Sequence, residues 1–134
     1  MRQQPDPPVW VFDNFSAGQQ LGTVEITLDS VRLANWAAIF GSPGMSDRVP
    51  SGMLVAAMME AYLKAIQPRP PGNVHAGQKL TFFKPVRVGE SLVAEVSCLW
   101  KERRKDRGWV GFGVSLSRGG SRVLEGEIRT IWAR

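Results

Sequence analysis

Apolar and polar side chains alternate from Thr23 to Leu28 (TVEITL), which predicts a short strand. The period then lengthens. From Val31 to Phe40 (VRLANWAAIF), Val31, Ala34 and Ala38, with Leu33, Trp36 and Phe40 beside them, recur at helical spacing, and Asp29 and Ser30 stand ahead of them as N-caps. Gly41 to Pro50 (GSPGMSDRVP) is rich in breakers and reads as a loop. A second helix follows, from Gly52 to about Ile66, with Ser51 placed to cap it and Pro68, Pro70, Pro71 and Gly72 to end it. Beyond Gly72 the period predicts strands at Val74–Phe83, Leu92–Trp100, Trp109–Leu116 and Val123–Trp132. Turn chemistry separates them at Lys84–Glu90 (KPVRVGE) and Arg118–Ser121 (RGGS). Alternation puts Leu92, Ala94, Val96, Cys98 and Trp100 on one side of their strand. In the next strand it leaves Gly111 and Gly113 bare on one face, where a backbone or a helix can approach closely.

The second helix carries the most informative residue. Its apolar side chains wrap every face, the mark of a buried helix, and Glu60 is the only charge between Gly52 and Leu63. A carboxylate there has to be paired, protonated or turned toward a cavity. Glu60 lies on roughly the same side as Gly52, just over two turns earlier, where first-turn N–H groups lack intrahelical partners and can point at an anion. One helix thus offers an oxyanion-type donor and a carboxylate.

The order strand, short helix, loop, long apolar helix, four strands predicts an α+β fold in which an antiparallel sheet curls around one central helix. The free sheet edge suits a second subunit. Residues 1–14 read as an N-terminal arm, with Trp10 and Phe12 as anchors, and residues 15–134 as the domain.

Composition narrows the chemistry. At 134 residues the chain suits one domain, Cys98 is alone, and one His with one Cys builds no His/Cys metal site. No apolar run is long enough to span a membrane, and MRQQPDPPVW has no signal-peptide core, so a cytoplasmic protein is expected. The net charge of +5 suits a phosphorylated ligand as well as nucleic acid, but no nucleic-acid, zinc-finger, Walker or dinucleotide motif is present. The run KERRKDR (Lys101–Arg107) reads as a solvated hairpin end. Neither nucleic acid nor a membrane is therefore an expected partner.

Several motifs, in order, carry a resemblance: Phe15-Ser16-Ala17-Gly18-Gln19, Trp36-Ala37-Ala38-Ile39-Phe40-Gly41, Val49-Pro50-Ser51-Gly52-Met53-Leu54, Ala76-Gly77-Gln78-Lys79-Leu80-Thr81-Phe82 and Phe83-Lys84-Pro85-Val86-Arg87-Val88-Gly89-Glu90. From about Phe15 to Ile131 the chain resembles the MaoC-like dehydratases, a hot-dog-fold family that includes (R)-specific enoyl-CoA hydratases. The resemblance implies a homodimer or a hot-dog heterodimer, with no cofactor beyond the coenzyme A or acyl carrier protein that carries an acyl thioester. It implies a ligand tunnel at the subunit interface beside the central helix, with the Gly52 N–H on the thioester carbonyl. Ser51 and Met53 flank that position. Lys84, Arg87, Arg103, Arg104, Lys105 and Arg107 are candidates for the phosphates, and Met45, Met53, Met58 and Met59 for the core or the acyl tunnel.

The hydratases of this family carry an Asp and, five residues on, a His, in a stretch shaped like G-D-x-N-P-x-H. Here Gly41-Ser42-Pro43-Gly44-Met45 and Ser46-Asp47-Arg48-Val49-Pro50 stand instead, shortened and without His. Three readings stay open. One is an enoyl-thioester hydratase or dehydratase with a non-standard site. Another is a thioesterase in which Glu60, eight residues after Gly52 as in several hot-dog thioesterases, acts as nucleophile or base, with His75 oriented by it if the two meet across the subunit interface. The third is a non-catalytic acyl-CoA-binding protein, or the inactive subunit of a heterodimeric dehydratase. Asp47 is a further acid, read as a loop charge or cap.

Overall fold

The computed structural model describes residues 8–41 and 47–134. The elements are β1 (Gln20–Thr27), α1 (Ser30–Phe40), α2 (Ser51–Ala65), β2 (Val74–Phe82), β3 (Ser91–Arg104), β4 (Arg107–Arg118) and β5 (Ser121–Trp132). The five strands form one antiparallel sheet in the order β1-β3-β4-β5-β2, so β1 and β2 are its edges. Ser42–Ser46, including Met45, and the first seven residues lie outside the described residues.

The sheet wraps α2 because its inner face is apolar across every central strand. Leu92, Ala94, Val96 and Cys98 of β3, Val110, Phe112 and Leu116 of β4, and Leu124 and Ile128 of β5 have no solvent exposure. Met53, Leu54, Ala57, Met58, Ala61 and Tyr62 of α2 are buried against them. Each large side chain so buried contributes about 1.5–3 kcal/mol. Gly126 marks the closest approach: a Cβ there would run into the Met58 sulfur and come within 3.3 Å of Leu80.

Trp10 and Phe12 are anchors as expected. Trp10 stacks on Phe15 at 5.3 Å, and Phe15 meets Phe112 and Trp132 edge-on, each at 5.1 Å. The Trp132 indole N–H donates to the Trp10 carbonyl at 2.8 Å. Phe12 is buried at the Gly108 backbone beneath the cations of Lys101 and Arg103, each 4.6 Å from its ring.

Three expectations change. The register shifts between Cys98 and Trp100, so Trp100 leaves the inner face for the outer, where its indole covers Gly111 and donates to Glu127 Oε1 at 2.8 Å. The bare faces of Gly111 and Gly113 are filled by Trp100 and Leu99 from the neighbouring strand, not by a backbone or a helix. Most of KERRKDR is strand: β3 runs to Arg104, β4 begins at Arg107, and the turn is only Lys105–Asp106, both at positive φ. Gly119 and Gly120, at φ 55° and 82°, make the other hairpin turn.

α2 does not cover the whole sheet. Most of its packing is on β1, β3 and β4, and it reaches β5 where Met58 meets Gly126. Edge strand β2 is consequently exposed along most of its length, with Val74 and Phe82 about half accessible. No helix among the described residues is long and apolar enough to cross a membrane.

Candidate functional site

The site is built where side chains of α1 reach α2, Arg32 at Glu60 and Trp36 at Gly52. Asp29 starts α1, its carboxylate accepting the Arg32 N–H at 2.9 Å. α2 starts without a side-chain cap. Pro50 holds the N-cap position and its carbonyl accepts the Met53 N–H at 2.9 Å. Ser51 is therefore the first helical residue, not the cap: proline already supplies an extended backbone there.

Each helix presents a stripe to the other. On α1 the positions are Arg32, Asn35, Trp36, Ile39 and Phe40; on α2 they are Met53, Ala56, Ala57 and Glu60. These spacings place each set on one helical face. With Leu28 they enclose a trough of about 280 Å³. At one end Trp36 and Phe40 lie against each other, ring centroids 4.1 Å apart, and the Trp36 indole presses on Gly52. Any Cβ on Gly52 would collide with that indole, so the close approach of the Trp36 side chain is what requires glycine here.

At the other end Glu60 is clamped. Arg32 binds it with both terminal nitrogens, Nη1 to Oε2 at 2.7 Å and Nη2 to Oε1 at 3.1 Å, and Lys64 reaches Oε1 at 2.8 Å. The hydrogen bond from Arg32, then that from Lys64, lowers the Glu60 pKa to about 2, outweighing burial, which acts the other way. Hydrogen bonding to Glu60 likewise raises the Arg32 pKa. Glu60 is thus both paired and cavity-facing, two answers that the sequence presents as alternatives.

A second cavity, about 470 Å³, opens on the far side of the α2 N-terminus, lined by Arg48, Ser51, Leu54, Phe82, Phe83 and Lys84 among others. Ser51 lines this cavity and Met53 lines the trough, so Gly52 stands between them at the helix start. Lys84 Nζ lies 3.2 Å from Ser121 Oγ. Arg87 lines neither cavity: its guanidinium is 3.8 Å from the Asp47 carboxylate and 72% exposed.

Within one chain His75 does not meet Glu60. It stands exposed on β2 opposite Thr130, and it lines neither cavity. The trough-lining residues that the sequence reading missed are Arg32 and Asn35, together with the contact of Trp36 on Gly52. Arg32 left a signal, being the only charged residue of α1, as Glu60 is of the apolar stretch of α2.

The chain is 28% identical over 114 residues to a mitochondrial 3-hydroxyacyl-[acyl-carrier-protein] dehydratase, FERN, of Solanum lycopersicum, covering 84% of this chain and 67% of the relative. It is 34% identical over 80 residues to the (R)-specific enoyl-CoA hydratase of Rhodospirillum rubrum, covering 60% of this chain and 54% of the relative. The match thus spans about two thirds of one relative and about half of the other. No protein-family model matches the chain. Among solved structures it is similar to the MaoC-like dehydratase from Rhodospirillum rubrum, at 16% identity and TM-score 0.74 over 93% of this chain and 98% of that one. It is also similar to a chain of the HadBC (3R-hydroxyacyl-ACP dehydratase) complex from Mycobacterium tuberculosis, at 14% identity and TM-score 0.68 over 87% and 98% of the two chains. A mutant of the fluoroacetyl-CoA-specific thioesterase FlK matches at 15% identity and TM-score 0.67 over 87% of each chain. This chain is a hot-dog-fold protein of the α+β class, and its relatives and structural neighbours include MaoC-like dehydratases and (R)-specific enoyl-CoA hydratases.

Proposed function

We propose that this chain binds an acyl thioester, carried on coenzyme A or an acyl carrier protein, along the α1–α2 trough of a two-subunit hydratase or dehydratase. The proton-transfer pair comes from the partner subunit. The observation that supports this reading is a trough beside an uncapped helix start, with no histidine and no free carboxylate in its lining. The trough and the helix start at Gly52 are built, whereas the single histidine stands apart on β2 and the trough carboxylate is clamped by two cations.

When water adds to or leaves an enoyl thioester, negative charge develops on the thioester oxygen. A first-turn N–H and the positive end of α2 suit that charge. The step also needs a proton acceptor with a pKa near the working pH, commonly worth about 10²–10⁴-fold. Glu60, with its pKa lowered to about 2, is a poor base for it. The exposed edge of β2 supports pairing with a second, related hot-dog subunit that carries the pair this chain lacks. The names of both relatives describe hydration or dehydration of acyl thioesters, and one structural neighbour is itself a complex.

Hydrolysis at Glu60 is the second reading, favoured by the place of Glu60 in the trough and by the thioesterase neighbour. The three short contacts from Arg32 and Lys64 weaken it, since each withdraws electron density from the oxygen that would attack.

The test is an assay of the purified chain against saturated and enoyl-CoA esters, following binding, enoyl absorbance and thiol release. Binding with silence in both reaction channels is expected. Enoyl loss catalysed by the chain alone overturns the partner-supplied pair. Thiol release abolished by Glu60→Gln puts hydrolysis in its place. Failure to bind any acyl-CoA overturns the reading as a whole.

A further inference from the structure

From the ends of the trough we infer that its acyl subsite selects a medium-length acyl group whose far end carries a carboxylate, with Arg32 and Asn35 as the residues that read it. The inference rests on the acyl-thioester reading above. A thioester carbonyl at Gly52 directs its chain along α2 toward Glu60, eight residues or about 12 Å away. The near part of that path is apolar, lined by Trp36, Met53, Ala56 and Ala57.

The far end is not apolar. Arg32 and Glu60 meet there, Lys64 joins Glu60 from behind, and Asn35 lines the trough one turn along α1 toward Trp36. Arg32 spends two of its five N–H donors on Glu60. Three donors and the Asn35 amide one turn further along α1 are left over. The charges of Arg32, Lys64 and Glu60 sum to +1. A methyl terminus would strip water from these groups and return no hydrogen bond. A carboxylate would replace that water with charge-assisted bonds and balance the residual charge.

The test is titration calorimetry of the chain with pairs of acyl-CoA esters of equal length, about six to ten carbons to match the path along α2. One member of each pair ends in methyl and the other in carboxylate. The carboxylate-ended ester is expected to bind about tenfold more tightly. Arg32→Met combined with Glu60→Met, which removes both charges together, should abolish the difference while methyl-ended esters still bind. Asn35→Leu leaves the ion pair in place and should reduce the difference in part, so the inference remains testable if the double variant does not fold. Equal affinities, or a preference that survives in the variants, overturn the inference and leave the acyl-thioester reading intact. Binding of neither member overturns both.

Discussion

Replacing Gly52 with alanine tests the helix contact on which the site depends. Alanine in a helix is favoured over glycine by up to about 1 kcal/mol, so propensity alone predicts a more stable protein. Packing predicts the reverse. The added Cβ would lie 2.7 Å from Trp36 Cζ2 and nearer still to Cη2. Carbon atoms settle about 3.5–4.0 Å apart, so the indole has to retreat by about 1 Å. It cannot tilt freely, because Phe40 lies against it with ring centroids 4.1 Å apart. Overpacking of this kind costs about 1–3 kcal/mol. α1 has no fully buried residue, so the helix itself should lift and open the trough. Gly52→Ala is therefore expected to lose about 1 kcal/mol net, with a larger loss of acyl-CoA affinity. Urea melts of Gly52→Ala, Trp36→Ala and the double variant form a cycle whose coupling should reach about 1–2 kcal/mol, since the smaller residue 36 relieves the clash. Additivity within about 0.5 kcal/mol, with unchanged ligand affinity, would refute the argument.

The Glu60 pKa is lowered from 4.5 to about 2, so the stability this carboxylate contributes is complete above the unfolded value and is lost as pH falls from about 4.5 to 2. Arg32 and Lys64 are 39% and 59% exposed, and solvent screening limits the effect to about 1–2 kcal/mol. Acid titration of the urea midpoint should show this loss in the wild type and not in Glu60→Gln; identical acid limbs would contradict it. Gly126→Ala brings a Cβ against the buried Met58 sulfur and should cost about 1–3 kcal/mol in thermal or urea unfolding, whereas a neutral result would mean that α2 can shift on β5. Light scattering of the purified chain at micromolar concentration should give twice the chain mass if β2 pairs with its own copy; a monomer that binds no second hot-dog chain would count against the exposed edge as an interface.

Periodicity made the fold legible because the core is nearly uniform. Every buried residue of β3 before the bulge follows the alternation, and the helix that is apolar on all sides is the one the sheet encloses. The bulge at Leu99 escaped, since alternation continues through Trp100 in sequence and only pairing with Gly111 reveals the shift. The candidate site was legible by halves. Glu60 stood out by its charge, and Gly52 by its place at the start of the helix. Their partners did not, because the match of Arg32 to Glu60 and of Trp36 to Gly52 is set by how α1 lies on α2, which no local pattern encodes. His75 shows the converse: a lone histidine attracts attention in sequence, yet within one chain it stands exposed on β2 and lines neither the trough nor the cavity beside Ser51.

A crystal structure of the chain with a non-cleavable acyl-CoA analogue is the most direct measurement. The account predicts the analogue's carbonyl oxygen on the Gly52 N–H, the acyl chain between Trp36 and Ala57, and its far end at Arg32 and Asn35. A ligand bound elsewhere, with the trough between α1 and α2 empty, would contradict it.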